Sequence, residues 1–340
     1  MRSILSRAAL ILTASLATVT AAAPEVASHE IVVKGSKFFA NGEQFFLKGF
    51  AFQGTGQDPL LNVTQCRYDM NLMRSFGANS VRVYHVDPTK DHTECFWIGN
   101  EVINSNSNSG AAPYIKAAVA DMRAYRDKMG YRKIPIGYSA ADIAELRPQL
   151  QNYLACGDPK TTIEFFGLNS YEWCGNATYD SSGYHNLQNM AENYSVPIFF
   201  SETGCIVPRP RLFKDQIAIF GPEMSGTWSG AIIYEWVNEG NEYGIVDYKG
   251  TEYGGPPIPM DPEFLSLKKT WATVRLNEIK QADYMPQNPR PVCPPSVPGG
   301  WAVNGNVPLP TLGAKVDKVV AMKKRQTSMD DQPCMHRFVN

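Results

Sequence analysis

Short apolar runs rich in β-branched and aromatic residues recur along the chain, at 45–53, 80–86, 96–102, 133–140, 165–173, 196–204 and 229–236. Each is nearly continuous in its hydrophobic positions, which predicts buried β-strands. Longer segments with helical spacing lie between them, at 114–129, 141–155, 183–194 and 262–279. Strands that do not alternate in and out, separated by helices, belong to a parallel sheet covered on both faces. The pattern therefore predicts an α/β protein of (β/α)8 TIM-barrel type, whose chemistry would stand at the C-terminal ends of the strands.

One step breaks the pattern. A closed barrel of this type needs eight strands, and seven runs are present. The runs ending at Val86 and beginning at Phe96 are joined only by residues 87–95. Parallel neighbours need a crossover of about a dozen residues or more. The barrel is thus expected to be incomplete, with the region of its third strand missing at that junction.

The chain begins with Arg2 and Arg7, followed by an apolar stretch, 8–19, that leads into Ala21, Ala22 and Ala23. That is the build of a secretory signal peptide over residues 1–23. No stretch reaches the roughly 20 apolar residues of a transmembrane helix, so none is expected. Residues 24–293 are read as the barrel domain. Beyond Cys293 the composition turns to proline and glycine and then to Lys323, Lys324 and Arg325, so 294–340 are expected to be a poorly ordered tail. Its end, 336–340, lacks the hydrophobic tail of a glycolipid-anchor signal.

A formal net charge of −1 offers no electrostatic footprint for nucleic acid or an acidic membrane surface. Neutral, polar, ring-shaped partners such as sugars fit better. All seven cysteines follow the signal peptide, where oxidising conditions favour disulfides. Spacing alone leaves fifteen pairings of six cysteines open. Asn62, Asn176 and Asn193 head acceptor triplets for N-glycosylation.

Glycosidic bonds are broken by two carboxyl groups, one donating a proton to the leaving oxygen and one attacking or stabilising the sugar carbon. Glu101 closes the run 96–100 and Glu202 closes 198–201, both where a barrel's active site opens. Surface carboxylates far outnumber catalytic ones, so on position alone a solvated loop glutamate is the commoner reading of each. The Asn-Glu dipeptide adds nothing, since Glu239, Glu242 and Glu278 share it.

Longer motifs carry more. Segments 34–53 (KGSKFFANGEQFFLKGFAFQ), 79–84 (NSVRVY), 86–90 (VDPTK), 99–102 (GNEV), 169–175 (NSYEWCG), 200–205 (FSETGC) and 243–246 (YGIV) resemble, in order, the fungal cell-wall β-1,3-glucanosyltransferases of glycoside hydrolase family 72. The resemblance covers about residues 30–293. It implies a retaining 1,3-β-glucanosyltransferase with Glu101 as acid/base, Glu202 as nucleophile and Asn100 holding the sugar 2-hydroxyl. Gln53, Tyr84, Tyr171 and Tyr234 would line the sugar subsites, although a strand-end tyrosine is more often a core residue with its hydroxyl satisfied at the rim. Tyr234 and Trp236 would offer stacking surfaces for an acceptor sugar. The family further implies disulfides Cys66–Cys95, Cys156–Cys293 and Cys174–Cys205, leaving Cys334 over. No metal or organic cofactor is called for. The partners implied are β-1,3-glucan donor and acceptor chains, met by a secreted monomer at the cell wall; family members commonly carry a glycolipid anchor.

Against the family, roughly fifty residues are absent between Cys95 and Phe96, more than one βα unit of about 30 residues. They hold the family's third strand and an aspartate of the sugar site. Such a loss leaves two unpaired sheet edges, and an omitted exon is its simplest origin. It also raises a second reading, a glucan-binding relic that no longer aligns its carboxylates. A third is an endoglucanase-like hydrolase, told apart by products that are only shorter.

Overall fold

A computed structural model of the chain describes residues 30–54, 58–87, 96–250 and 253–318. The signal peptide, Cys95, Cys334 and the last part of the tail lie outside the described residues. Three short antiparallel strands come first, β1 (Ile31–Lys34), β2 (Lys37–Ala40) and β3 (Glu43–Gln44). Then follow β4 (Leu47–Ala51), α1 (Val63–Arg74), β5 (Ser80–Arg82), β6 (Phe96–Asn100), α2 (Ala112–Met129), β7 (Ile136–Ala141), α3 (Arg147–Ala155) and β8 (Phe165–Ser170). The remainder is α4 (Tyr184–Ala191), β9 (Ile198–Thr203), α5 (Asp215–Phe220), β10 (Trp228–Ile233), a small pair β11 (Val246–Asp247) and β12 (Ile258–Pro259), and α6 (Glu263–Thr273).

Seven of these strands form one sheet in the order β5-β4-β10-β9-β8-β7-β6, with every neighbouring pair parallel. β7 through β10 are buried at nearly every position, as strands covered by helices must be. At Gly230, paired with Leu47, an added Cβ would fall 2.0 Å from the Leu47 carbonyl oxygen, so the approach of β10 to β4 requires glycine.

Within this sheet, strands consecutive in the chain sit side by side except at one place. β5 and β6 follow one another in the chain yet end the sheet on opposite sides, and among the described residues neither has a second neighbour. This is the break expected at residues 87–95, and among the described residues the barrel is short of the strand between them.

The lower end is closed by β1–β3. Phe38 of β2 packs on Phe165 and Phe199, with ring centroids 6.0 and 5.9 Å away. Outside the sheet, α2 is delimited by its own residues: Pro113 in the first turn, Arg126 and Lys128 in the last, and Gly130 in the left-handed conformation as its stop. Two helices were not expected from the sequence, α1 and α5.

The segment after Cys293 corrects the expectation of a disordered tail for residues 294–318. Trp301 is 1% exposed and packs in the main core, 5.5 Å from the ring of Tyr153 on α3. The backbone N–H of Ala302 donates to Ser109 Oγ at 3.0 Å, and that of Leu312 to Asp121. An extended proline-rich chain is held here by one large apolar anchor and by side chains that satisfy its backbone, which a compositional reading does not see. Cys156–Cys293 joins this segment to the end of α3.

Candidate active site

The C-terminal ends of the strands converge on Glu202, the fifth residue of β9, which is 7% exposed. Three donors meet its carboxylate. Tyr84 OH reaches Oε1 at 2.8 Å, Tyr171 OH reaches Oε2 at 2.6 Å, and Arg82 Nη1 lies 3.2 Å from Oε1. Burial, more than any neighbour, pushes both tyrosine hydroxyls far above their ordinary range, so both remain donors.

Glu101 stands one residue beyond β6. Its backbone adopts φ 52, a left-handed conformation that side chains other than glycine's rarely take. Its N–H donates to Ser139 O at 2.9 Å. Its Oε1 accepts from Asn169 Nδ2 at 2.8 Å, and the same nitrogen donates to Asn100 Oδ1 at 2.9 Å.

The orientation of Asn169 is over-determined. Its Oδ1 accepts from Arg82 Nη1 at 3.0 Å, Ser139 Oγ at 2.9 Å and Ser201 Oγ at 2.8 Å. Three donors on one oxygen force the amide nitrogen toward Asn100 and Glu101. Arg82 also holds Asn100 Oδ1 at 2.8 Å and Ser201 O at 2.7 Å. Asn169 and Arg82 therefore connect the two glutamates through one buried polar network.

Beside it lies a second cluster. Gln53 Nε2 lies within hydrogen-bonding reach of three acceptors, Glu235 Oε2 at 2.5 Å, Tyr234 OH at 3.1 Å and Glu239 Oε2 at 3.2 Å, among which its two hydrogens are shared. Asn241 Nδ2 donates to Glu235 Oε1 at 2.7 Å and to Tyr234 OH at 3.3 Å. Burial is the main reason that the Glu235 carboxyl is pushed up to about 7, and burial together with the Glu235 charge pushes the Tyr234 hydroxyl up to about 12. The Tyr234 ring meets those of Tyr84, Tyr171 and Tyr243 edge-on, with centroids 6.3, 6.1 and 5.3 Å apart.

All seven residues expected at the site thus gather at one end of the sheet: Gln53, Tyr84, Asn100, Glu101, Tyr171, Glu202 and Tyr234. Trp236 does not join them. It is wholly buried, donates through Nε1 to Asp69 Oδ1 at 2.9 Å and packs on Phe50, so it is a core residue and no stacking surface. The reading missed Arg82, Ser139, Asn169, Ser201, Glu235, Glu239 and Asn241. Four of these, Arg82, Ser139, Asn169 and Ser201, are polar residues within strands that ought to be apolar, a signal that was there to use.

Cys174–Cys205 ties the loops after β8 and β9 at the rim. Cys66 is also disulfide-bonded, while its implied partner Cys95 lies outside the described residues. Asn62, Asn176 and Asn193 are all exposed.

Comparison with known proteins agrees with this geometry. The chain matches the Glucanosyltransferase family, glycoside hydrolase family 72, over residues 20–98 and 95–275, two segments that meet at the break in the barrel. It is 36% identical to pH-responsive protein 2 of Candida albicans, an alignment of 300 positions that covers 70% of this chain and 55% of the relative. It is 33% identical to the 1,3-beta-glucanosyltransferase gas2 of Schizosaccharomyces pombe, over 81% of this chain and 74% of that one. Among solved structures it resembles a Gas2p variant of Saccharomyces cerevisiae in complex with laminaritetraose and laminaripentaose, at 32% identity and TM-score 0.76, over 85% of this chain and 76% of that one. The chain spans about half the length of the Candida relatives it matches. A barrel of this topology, with this motif set and this family match over most of its length, belongs to the glucanosyltransferase family, glycoside hydrolase family 72.

Proposed function

We propose that the chain is a 1,3-β-glucanosyltransferase that cleaves a β-1,3-glucan chain and transfers it to another by double displacement. The observation that carries this reading is the single network joining Glu101 to Glu202 through Asn169 and Arg82 at the mouth of the sheet. In the first step Glu202 attacks the anomeric carbon and Glu101 protonates the departing glycosidic oxygen, leaving a covalent glycosyl-enzyme. In the second, Glu101 takes the proton of an incoming hydroxyl, which displaces Glu202 and closes the new bond. A sugar hydroxyl as acceptor gives transfer, and water gives hydrolysis.

Each flanking group has a part in this scheme. Tyr84, Tyr171 and Arg82 place three donors on the Glu202 carboxylate and fix its rotamer for in-line attack. Asn100, its oxygen already engaged by Arg82 and Asn169, offers its N–H groups to the sugar 2-hydroxyl. Gln53 and Tyr234 border the adjoining subsite. The named relatives and the oligosaccharides bound by Gas2p support the same substrate class. The exposed glycosylation triplets fit a protein exported to the cell wall.

Incubation with a reduced laminari-oligosaccharide tests the reading: products longer than the donor are expected. The open side between β5 and β6 favours the second reading, a glucan-binding relic, and oligosaccharide binding with no change of chain length would select it. Products that are only shorter would replace transfer by hydrolysis.

A further inference from the structure

Tyr234 directly follows β10, and its hydroxyl oxygen accepts from two side-chain amides, Gln53 at 3.1 Å and Asn241 at 3.3 Å. A phenol oxygen has two lone pairs and one proton. Both neighbours present NH₂ groups, which cannot accept, so the proton must point elsewhere, and among the described residues no acceptor receives it. The two ends of an amide are nearly the same shape, so either amide could in principle turn its carbonyl to Tyr234 instead.

Glu235 prevents that. It is fully buried, and its two oxygens accept separately, Oε2 from Gln53 at 2.5 Å and Oε1 from Asn241 at 2.7 Å. Above its raised value of about 7 this carboxylate is ionised and acceptor-only. Both amides must therefore present their NH₂ groups to it, and the same two groups reach Tyr234.

We propose that Glu235 is a positioning residue: by holding the NH₂ ends of Gln53 and Asn241 against Tyr234, it makes the Tyr234 hydroxyl a donor aimed at the sugar in the cleft. This rests on the glucan-processing reading given above. The Tyr234 ring stands edge-on to Tyr84 and Tyr171, both of which donate to Glu202, so the donated proton falls on a sugar beside the reacting centre.

A double-mutant cycle tests it, run on laminaripentaose at pH 8, above the raised Glu235 value of about 7. Glu235→Gln keeps the size but brings an NH₂ of its own, which obliges one amide to turn its carbonyl inward and draws the Tyr234 proton back to the protein. Tyr234→Phe removes the proton. Each single change is expected to lower kcat/KM about tenfold, the order of one neutral hydrogen bond. The double variant is expected to fall no lower than Tyr234→Phe alone, because both remove one shared bond. Losses that multiply, or full activity in Glu235→Gln, overturn the proposal. A merely structural Glu235 would lower the melting temperature and give multiplying losses. Should Glu235→Gln fail to fold, Asn241→Asp probes the same arrangement from the exposed side, with the same coupling to Tyr234→Phe expected. The cycle read as Kd for laminaripentaose decides the matter even in a chain that turns nothing over. Non-additive losses of affinity without turnover would uphold Glu235 and remove the transferase reading.

Discussion

Arg82 Nη2 donates to Asn100 Oδ1 at 2.8 Å, which ties the last residue of β5 to the last residue of β6. These are the two strands left without a common neighbour, so a single guanidinium bridges the mouth of the opening. The same side chain is buried against Glu202 and Asn169. Arg82→Ala would strand several buried acceptors, one of them charged, at a cost of about 3–5 kcal/mol. Denaturant unfolding should show this loss together with loss of glucan turnover. A variant as stable and as active as the parent would contradict the bridging role.

The unpaired sides of β5 and β6 make a separate prediction. Amides at 80–82 and 96–100 should exchange with solvent faster than those at 165–170 and 198–203, which lie between two neighbours. Equal protection in β5 and β8 would mean that the sheet is closed by some other segment. If an omitted exon made the gap, transcripts should carry extra coding sequence between the codons for Cys95 and Phe96, and an uninterrupted junction would rule that origin out. The family match divides at this same junction, and the Candida alignment runs over more positions than the share of this chain it covers.

The segment after the barrel should matter to stability. Trp301→Ala empties a buried indole site and is expected to cost about 3–5 kcal/mol. Cys156→Ala releases the tie to Cys293, for which about 2–5 kcal/mol and a fall in secreted yield are expected. A chain ended after residue 293 that melts with the full chain would show the docking of Trp301 to be inconsequential.

Stability should fall as pH rises from mildly acidic to neutral. Burial raises Glu235 from 4.5 to about 7, and burial followed by the Asp142 charge raises Glu172 as well. Between those values the folded chain holds protons that the unfolded chain has released, so this contribution is complete below about 4.5 and lost as pH climbs through 7. Asp127 and Glu263, both lowered, act in the opposite sense only at more acidic pH. Melting temperatures across pH 4–8 should decline toward neutrality, less steeply in Glu172→Gln. Parallel slopes in parent and variant would contradict the assignment of that group.

Much of this was legible beforehand, and the exceptions have physical reasons. The seven barrel strands were found because burial on both faces demands unbroken apolar runs. The missing strand was found because parallel neighbours cannot be joined across residues 87–95. α1 escaped because its inner face carries Gln65 and Asp69, buried polar residues that blur the helical pattern. Asp69 is tolerated there because Trp236, Tyr248 and Gln65 all donate to it, a partnership made across the fold. α5 is only six residues long. Glu101 and Glu202 were visible as strand-end carboxylates, whereas Glu235 falls inside the run 229–236, which reads as one strand, while the strand itself stops at Ile233.

Trapping of the glycosyl-enzyme tests the central claim most directly. After incubation with a 2-deoxy-2-fluoro laminari-oligosaccharyl fluoride, which slows the second step more than the first, mass spectrometry should find one glycosyl adduct on the peptide carrying Glu202. The adduct should be absent from Glu202→Gln. An adduct on any other residue, or none in a preparation that still lengthens laminari-oligosaccharides, would contradict attack by Glu202.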